Sequence, residues 1–253
     1  MNPWLIGGPV ALAAGAAATT YGAVNPHSDL FGPVIWRTNS PRKLAVTFDD
    51  GPNPKITTEL LNLLDRYGAR ATFFVIGRFA RECPGVVRET ADRGHVVANH
   101  TANHVNLFWR TPSAIQDEIQ RCNEAIFAAT GAPARWFRPP FGMRNPWVIT
   151  EAKTQGLGTV LWTRLPGDWR AKTAEWLIKR MDGIAKRAQS ASPGGKHPET
   201  GSGDILCLHD GDHRFLNGDR AATIAALQYW LPRWRDLGLE FVTIDEAVSA
   251  PAR

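Results

Sequence analysis

Cysteine is scarce in this chain, with three residues among 253. Cys83, Cys122 and Cys207 form no Cys-x-x-Cys pair, so the sequence carries no zinc-knot motif. An odd number of cysteines excludes a fully paired disulfide framework and allows one bridge at most. We therefore expect an ordinary hydrophobic core to hold the fold, and the cysteines indicate no particular compartment.

Runs of like charge are also absent. The formal net charge is +5, but the Lys and Arg residues are scattered and form no tract of the kind that follows a nucleic acid. We therefore expect no nucleic acid partner.

Tryptophan, by contrast, is abundant, with ten residues. Most of these should fill the core, and exposed indole rings would suit stacking on sugar faces.

Only one long apolar run stands out, at residues 4–24 near the start of the chain. Its composition is typical of an export signal or a single membrane anchor, and we predict residues 1–24 as such a segment. No Lys or Arg precedes the run, and several Gly and Pro residues weaken it as a helix, so an arm packed on the domain is the alternative. A signal or anchor would place the rest of the chain in the cell envelope or outside the cell.

From residue 43 onward, short β-branched runs alternate seven times with longer amphipathic ones. The strands are predicted at residues 43–48, 71–76, 95–99, 136–138, 158–162, 205–209 and 240–244. The helices are predicted at residues 54–67, 79–93, 111–130, 146–155, 173–188 and 219–237. This alternation favours parallel strands joined by crossover helices, and seven units favour closure of the sheet. The sequence therefore predicts an α/β fold, a distorted (β/α)7-type barrel in a single domain.

The predicted domain organisation has three parts. Residues 1–24 are the predicted signal or anchor, residues 25–42 form a lead-in segment, and residues 43–250 form the main domain. Within that domain, residues 189–204 are rich in Ser, Gly, Pro and Lys, which is typical of a loop or insertion.

Two adjacent carboxylates, Asp49 and Asp50, end the first predicted strand, just before Gly51 and Pro52. Side chains alternate along a strand, so the two carboxylates should diverge unless the turn redirects one of them. Divergence would suit two roles, one carboxylate for a metal and one for a proton. Turn formation alone is the alternative explanation, because Asp, Gly and Pro all favour turns.

A pair of histidines, His100 and His104, follows the third strand. Their spacing of four places both imidazoles on one face if the chain makes a helical turn. With Asp50 at a neighbouring strand end, they form a two-histidine, one-carboxylate set that leaves metal positions open for water and substrate. Two surface or capping histidines are the alternative.

A metal that polarises a carbonyl needs a base for the attacking water and an acid for the leaving group. Asp49 suits the role of base, with Arg138 holding it. His209 suits the role of acid, kept protonated by Asp168 and Asp210. A structural salt bridge for Arg138 and a buried structural role for His209 are the alternatives.

Five segments of the chain resemble the motifs of the metal-dependent polysaccharide deacetylases of carbohydrate esterase family 4, in that family's order. The segments are residues 47–52, 100–104, 138–142, 168–169 and 205–210. The resemblance covers most of residues 43–244. It departs from the family pattern at Cys207, where the family usually has Leu.

The resemblance implies a role for each matching residue. By this likeness, Asp50, His100 and His104 would hold Zn²⁺ or another divalent ion such as Co²⁺ or Ni²⁺. Asp49 would be the general base oriented by Arg138, and His209 the general acid tuned by Asp168. The residues expected to form the oxyanion site and the acetyl pocket are Phe141, through its backbone N–H, Trp169 and Cys207.

The activity implied by the resemblance is removal of N-acetyl groups from an N-acetylglucosamine-containing polymer, such as peptidoglycan or chitin, with release of acetate. An O-acetyl xylan esterase would use the same residues. A non-catalytic sugar-binding module would lack a ligand, the base or the acid, and this sequence retains all of them. An iron oxygenase would share the ligand types, but its usual His-x-Asp spacing is absent here.

Overall fold

The computed structural model describes residues 15–190 and 201–249, and these contain seven strands and nine α-helices. The strands are β1 (Lys43–Gly51), β2 (Ala71–Val75), β3 (Val96–Asn99), β4 (Trp136–Phe137), β5 (Gly158–Thr159), β6 (Asp204–His209) and β7 (Glu240–Phe241). The helices are α1 (residues 15–24), α2 (Ile56–Arg66), α3 (Gly77–Glu82), α4 (Pro84–Asp92), α5 (Pro112–Thr130), α6 (Pro146–Thr154), α7 (Ala174–Ser190), α8 (Ala221–Asp236) and α9 (Ile244–Val248). Three short 3₁₀ turns lie at Leu107–Trp109, Pro140–Gly142 and Asp168–Arg170.

All the strands pair in parallel, in the order β5-β4-β3-β2-β1-β6, and β7 pairs with the start of β1. The chain after β5 continues alongside β6, where Arg164 pairs with Leu206. The lead-in segment lies at the gap between the chain after β5 and β6, because Ile35 pairs with Val160 and Arg37 pairs with Asp204. The sheet is thus a distorted barrel, and the predicted fold class is confirmed. All carboxyl ends of its strands meet at one edge.

The residues of β1 alternate between two hydrophobic clusters. Leu44 and Phe48 belong to the outer cluster, with residues of α2, α5, α7 and α8. Ala45 belongs to the inner cluster, which takes residues from several strands and is covered at the base by α9. Because side chains on one face recur at every second residue, Thr47 and Asp49 face the barrel interior with Ala45. The strand therefore places Asp49 inside the barrel, at the end where the carboxyl ends of the strands lie.

Several predicted elements were wrong in extent, among them the strand predicted at residues 158–162, which ends at Thr159. The helix predicted at residues 79–93 is broken into α3 and α4, because Pro84 lacks an N–H and begins a new helix at its first turn. The strand predicted to reach residue 244 ends at Phe241. There Thr243 and Glu246 form a capping box that starts α9. All three cysteines are free.

The N-terminal arm, residues 15–28, is fastened to the domain by Arg144, a fully buried side chain. Its guanidinium donates hydrogen bonds to the carbonyls of Gly22, Asn25 and Ser28, and its backbone N–H donates to Ala23. These contacts satisfy carbonyls that the end of α1 leaves unpaired. For residues 22–28, the arrangement is the packed arm that the sequence offered as an alternative.

The rest of the predicted signal or anchor, residues 1–14, lies outside the described residues, as do residues 191–200 of the predicted loop. Within the described part of the chain, no helix combines the length and the apolar character needed to cross a membrane. The predicted boundaries of the three parts of the chain stay predictions.

Replacement of Arg144 by Ala should loosen the arm. The loss of several hydrogen bonds from a buried charged group should lower the free energy of unfolding by about 2–4 kcal/mol, as measured by urea denaturation. The matched control is Arg121→Ala, which removes an exposed side chain paired with Asp117 and should change stability by less than about 0.5 kcal/mol. Equal effects of the two substitutions would contradict the role of Arg144.

Candidate active site

The end of β1 is distorted so that both carboxylates reach the same cleft. Its pairing with β2 shifts between Asp49 and Gly51, and Asp50 has a φ of 71°. Asp49 and Asp50 are both buried and both line the cleft, so the turn has redirected Asp50. The backbone also passes very close to Gly211, where a Cβ atom would lie 2.1 Å from the Asp50 carbonyl oxygen. Only glycine fits at that position.

The two histidines after β3 lie in a loop rather than in the helical turn that their spacing suggested. Thr101 and His104 have φ values of 66° and 56°. The Thr101 hydroxyl accepts a hydrogen bond from the His104 N–H at 3.0 Å, and Asn99 accepts one from the Thr101 N–H at 2.8 Å. This loop still brings the imidazoles of His100 and His104 together, with ring centroids 4.9 Å apart.

The donor atoms of Asp50, His100 and His104 suit one divalent cation. The Asp50 Oδ1 atom lies 3.6 Å from His100 Nε2 and 3.1 Å from His104 Nε2. Two ligands of a tetrahedral zinc ion, each bonded at 2.0–2.1 Å, are about 3.3 Å apart. The same Oδ1 atom is buried and has no hydrogen-bond partner among the described residues. A cation would supply the missing partner.

The protonation states of these groups also suit a cation. The His100 Nδ1 atom lies 2.7 Å from the Arg138 carbonyl oxygen, which can only accept, so Nδ1 carries the proton and Nε2 is left with a lone pair. Burial lowers the pKa of His100 to about 4 and keeps the ring neutral. Burial raises the pKa of Asp50, but the neighbouring histidines outweigh it and hold that pKa well below its usual range.

A third imidazole, that of His213, was missed by the sequence analysis. Its Nδ1 atom lies 3.7 Å from Asp50 Oδ2, and its ring stacks on His104 with centroids 4.5 Å apart. A signal for it existed, because His213 follows the end of β6, and polar residues after barrel strands tend to reach the site. It belongs to no motif of the resemblance, so nothing singled it out.

The predicted base, Asp49, is held by the buried guanidinium of Arg138. Arg138 Nη1 donates to Asp49 Oδ1 at 2.7 Å and to the Thr47 hydroxyl at 2.8 Å. Burial raises the pKa of Asp49, but Arg138, followed by His100, more than offsets this and lowers it. The carboxylate is therefore ionised, with one oxygen fixed by Arg138 and the other facing the cleft.

Cys207 packs against that second oxygen. Its Sγ atom lies 3.3 Å from Asp49 Oδ2, within reach of a weak S–H hydrogen bond. Burial, reinforced by the charge of Asp49, raises the pKa of the Cys207 thiol well above its usual range. Although Asp49, Cys207 and His209 bring donor atoms close together, a protonated thiol is a poor metal ligand. Cys207 therefore lines the cleft as a protonated thiol.

The predicted acid, His209, is oriented by Asp168. Asp168 Oδ1 lies 2.8 Å from His209 Nδ1, and its Oδ2 accepts hydrogen bonds from the His209 N–H at 2.8 Å and from the Thr223 hydroxyl at 3.0 Å. Burial lowers the pKa of His209, but the charge and hydrogen bond of Asp168 outweigh it and raise the pKa to about 9. The imidazole is therefore protonated at neutral pH.

These groups surround a cleft of about 550 Å³, within the usual size range of small-molecule sites. The site residues predicted from the sequence lie in it except Arg138 and Asp168, which contact Asp49 and His209 from outside the cleft, and Asp210, whose carboxylate accepts a hydrogen bond from the Thr57 hydroxyl. Its walls include Phe141 and Trp169, both of them partly exposed to solvent. Three further cleft residues that the sequence analysis did not predict are the arginines Arg170, Arg214 and Arg220.

The loop after β4 holds Phe141 at the mouth of this cleft. Phe141 has a φ of 59° within a 3₁₀ turn, and its ring contacts His104 edge-on with centroids 4.7 Å apart. Gly142 allows the turn to pack on Trp162, since a Cβ atom there would lie 2.6 Å from the indole ring. Trp169 lies on the other wall, with its ring centroid 4.9 Å from that of His209.

Comparison with known proteins gives a consistent set of relatives. Residues 37–160 match the family described as polysaccharide deacetylase. The chain is 35% identical over 218 residues to the peptidoglycan-N-acetylglucosamine deacetylase of Bacillus cereus. The aligned region covers 85% of this chain and 92% of that protein. It is 34% identical over 202 residues to the chitooligosaccharide deacetylase of Azorhizobium caulinodans, with 77% and 89% covered.

Among solved structures, the chain is similar to a family 4 carbohydrate esterase from Streptomyces lividans in complex with acetate. The TM-score with this esterase is 0.64 at 29% sequence identity. The match covers 80% of this chain and 91% of the esterase.

Replacement of Asp168 by Asn should lower the pKa of His209 from about 9 toward or below its ordinary value, because burial would then dominate. The measurement is an NMR titration of the imidazole in chelator-treated protein. Because folding raises this pKa, the ion pair stabilises the fold fully below about pH 6.5, and its contribution is lost as the pH rises through 9. The stability difference between wild type and variant should shrink accordingly. An unchanged imidazole titration would contradict the pairing.

Proposed function

Because the chain belongs to the polysaccharide deacetylase family, we propose that it hydrolyses the N-acetyl group of an N-acetylglucosamine-containing polysaccharide and releases acetate. One observation carries the proposal: the Nε2 atoms of His100 and His104 both lie within 3.6 Å of Asp50 Oδ1, beside the ionised Asp49, and His209 lines the same cleft. The relatives, named for peptidoglycan and chitooligosaccharide, support N-acetylglucosamine as the acetylated sugar.

Members of this family depend on a metal, and we propose Zn²⁺ as the ion that Asp50, His100 and His104 hold here. A mixed set of imidazole and carboxylate donors suits zinc, and Co²⁺ or Ni²⁺ would accept the same donors. When bound, such an ion polarises the acetyl carbonyl and makes water easier to deprotonate. His100 keeps its Nε2 lone pair available through the hydrogen bond between its Nδ1 and the Arg138 carbonyl.

Asp49 would take the proton of the attacking water. Its Oδ1 is occupied by Arg138, so Oδ2 is the oxygen that accepts, and Oδ2 lies 3.9 Å from the ligand atom His100 Nε2. The lowered pKa of Asp49 keeps it ionised before the reaction. Arg138 also prevents the carboxylate from rotating, because the guanidinium is itself held by the carbonyls of Val160 and Leu161.

His209 would give its proton to the departing amine as the carbon–nitrogen bond breaks. Asp168 engages Nδ1, so Nε2 is the atom left to face the substrate. The raised pKa, about 9, keeps His209 charged until the amine forms. The products are then acetate and a free amino sugar.

The cleft walls would orient the acetyl group. We assign the backbone N–H of Phe141 as the donor to the oxyanion that forms on the acetyl oxygen. Trp169 and Cys207 would enclose the methyl group, and the exposed face of Trp169 would suit a sugar ring. Cys207 is smaller than the Leu usual in the family, so the pocket is wider at that wall.

The site of action would be the cell envelope or the exterior of the cell. The apolar composition of residues 4–24 supports this location, as does the peptidoglycan named for one relative. Fractionation of cells that produce the full chain would test it, and recovery in the cytoplasmic fraction alone would contradict it.

Acetate release from three polymers tests the proposed substrate. Metal-loaded protein should release acetate from peptidoglycan or from chitin oligomers, and little from acetylxylan. Free acetate and newly formed amino groups are both measured, because only N-deacetylation produces the amine. Acetate from acetylxylan alone would indicate an O-acetyl esterase, and acetate from none of the polymers would refute the proposal.

Replacement of Asp49 by Asn should lower the rate of acetate release by at least about 100-fold, because the general base is lost. Metal content, measured by atomic emission, should stay near that of the wild type, since Asp49 is not among the proposed ligands. Asp117→Asn changes an exposed carboxylate in the same way and should leave the rate unchanged. Turnover retained in Asp49→Asn would remove this residue from the role of base.

A further inference from the structure

We propose that His213 supplies an additional protein ligand, through Nδ1, to the cation held by Asp50, His100 and His104. This inference rests on the metal site of the proposed function and adds a residue that lies outside the five motifs. It commits to a divalent cation that accepts imidazole nitrogen, with Zn²⁺ as the first choice.

The distances place His213 on the opposite oxygen of the same carboxylate. Asp50 Oδ1 is approached by His104 Nε2 at 3.1 Å and by His100 Nε2 at 3.6 Å, whereas Oδ2 is approached by His213 Nδ1 at 3.7 Å. The donor atoms of Asp50, His104 and His213 all lie within 4.8 Å of one another. Asp50, His104 and His213 therefore form a set of donor atoms close enough for one cation, and His100 approaches the same buried carboxylate.

The loop that carries His213 is built to hold it there. Gly211 passes against the end of β1, and the guanidinium of Arg78 donates to the His213 carbonyl. Asp212 accepts hydrogen bonds from the backbone and side chain of Arg214 at 2.8–3.0 Å. The ring of His213 then stacks on His104 at an interplanar angle of 21°. The position of the imidazole is thus set from several sides.

His213 differs from the other ligands in its exposure. Its side chain is 38% exposed, whereas those of His100 and His104 are 2% and 4% exposed. The two buried histidines form the permanent part of the site. His213 closes its open side, and as the ligand nearest solvent it is the one that substrate would displace. Loss of His213 from the ion would leave three protein ligands and the open position that a catalytic zinc site needs for water or substrate.

Metal affinity and the Co²⁺ spectrum test the assignment directly. The substitution His213→Phe keeps an aromatic ring to stack on His104 but removes the nitrogen, and His213→Ala removes both. The matched control is His27→Phe, at an exposed histidine stacked on Trp36. Zn²⁺ dissociation constants are measured by competition with a chromophoric chelator, and the coordination of Co²⁺ is followed by its visible absorption.

Both His213 variants should bind Zn²⁺ at least about tenfold more weakly than wild type, because even outer-shell changes cost about 10- to 100-fold. Both should also change the Co²⁺ spectrum, and His27→Phe should change neither measurement. Affinity and spectrum equal to those of the wild type in His213→Phe would overturn the inference, as would a loss of activity without a loss of affinity. A wild-type protein that binds no metal would instead refute the proposed function itself.

Discussion

The site depends on one buried guanidinium. Arg138 is fully buried, and it joins parts of the barrel that are distant in sequence. Its side chain holds Asp49 and Thr47 on β1 and the carbonyls of Val160 and Leu161 after β5. Its own carbonyl fixes the imidazole of His100. A buried charge is costly unless it is fully paired, and here every pairing also positions a group of the site or the wall of the barrel.

Backbone strain is concentrated at the same edge of the sheet. Within the described residues, the non-glycine residues with positive φ are Asp50, Thr101, His104 and Phe141. Each such conformation costs on the order of 1–3 kcal/mol, and it persists only where the surrounding structure enforces it. In this protein the strained conformations position the Asp50 carboxylate, the His104 imidazole and the cleft wall at Phe141. The hydrogen bond from the Thr101 N–H to Asn99 stabilises the conformation of Thr101, and the contact of the Phe141 ring with His104 stabilises that of Phe141.

Sequence patterns predicted the strands and helices because each period reflects a face that must be buried. They failed where a local interaction decides, as with Pro84 splitting a helix and Thr243 capping α9. The residues of the site could be predicted because they follow the ends of parallel strands, which meet at one edge. The convergence of Asp49 and Asp50 and the loop of His104 could not, since both rest on positive φ values that residue spacing does not encode. His213 was missed because it lies outside the five motifs, although it follows the end of β6.

The lead-in residues have a structural consequence for where the folding unit begins. The Ile35 N–H donates a hydrogen bond to the carbonyl of Thr159 in β5, the Ile35 carbonyl accepts one from the Leu161 N–H, and Arg37 pairs with Asp204 at the start of β6. These residues pair with the sheet as a short additional strand would, although they precede all five motifs. A version of the chain trimmed to the first motif would lose these backbone partners, and the strand edges that they cover would be open to intermolecular pairing.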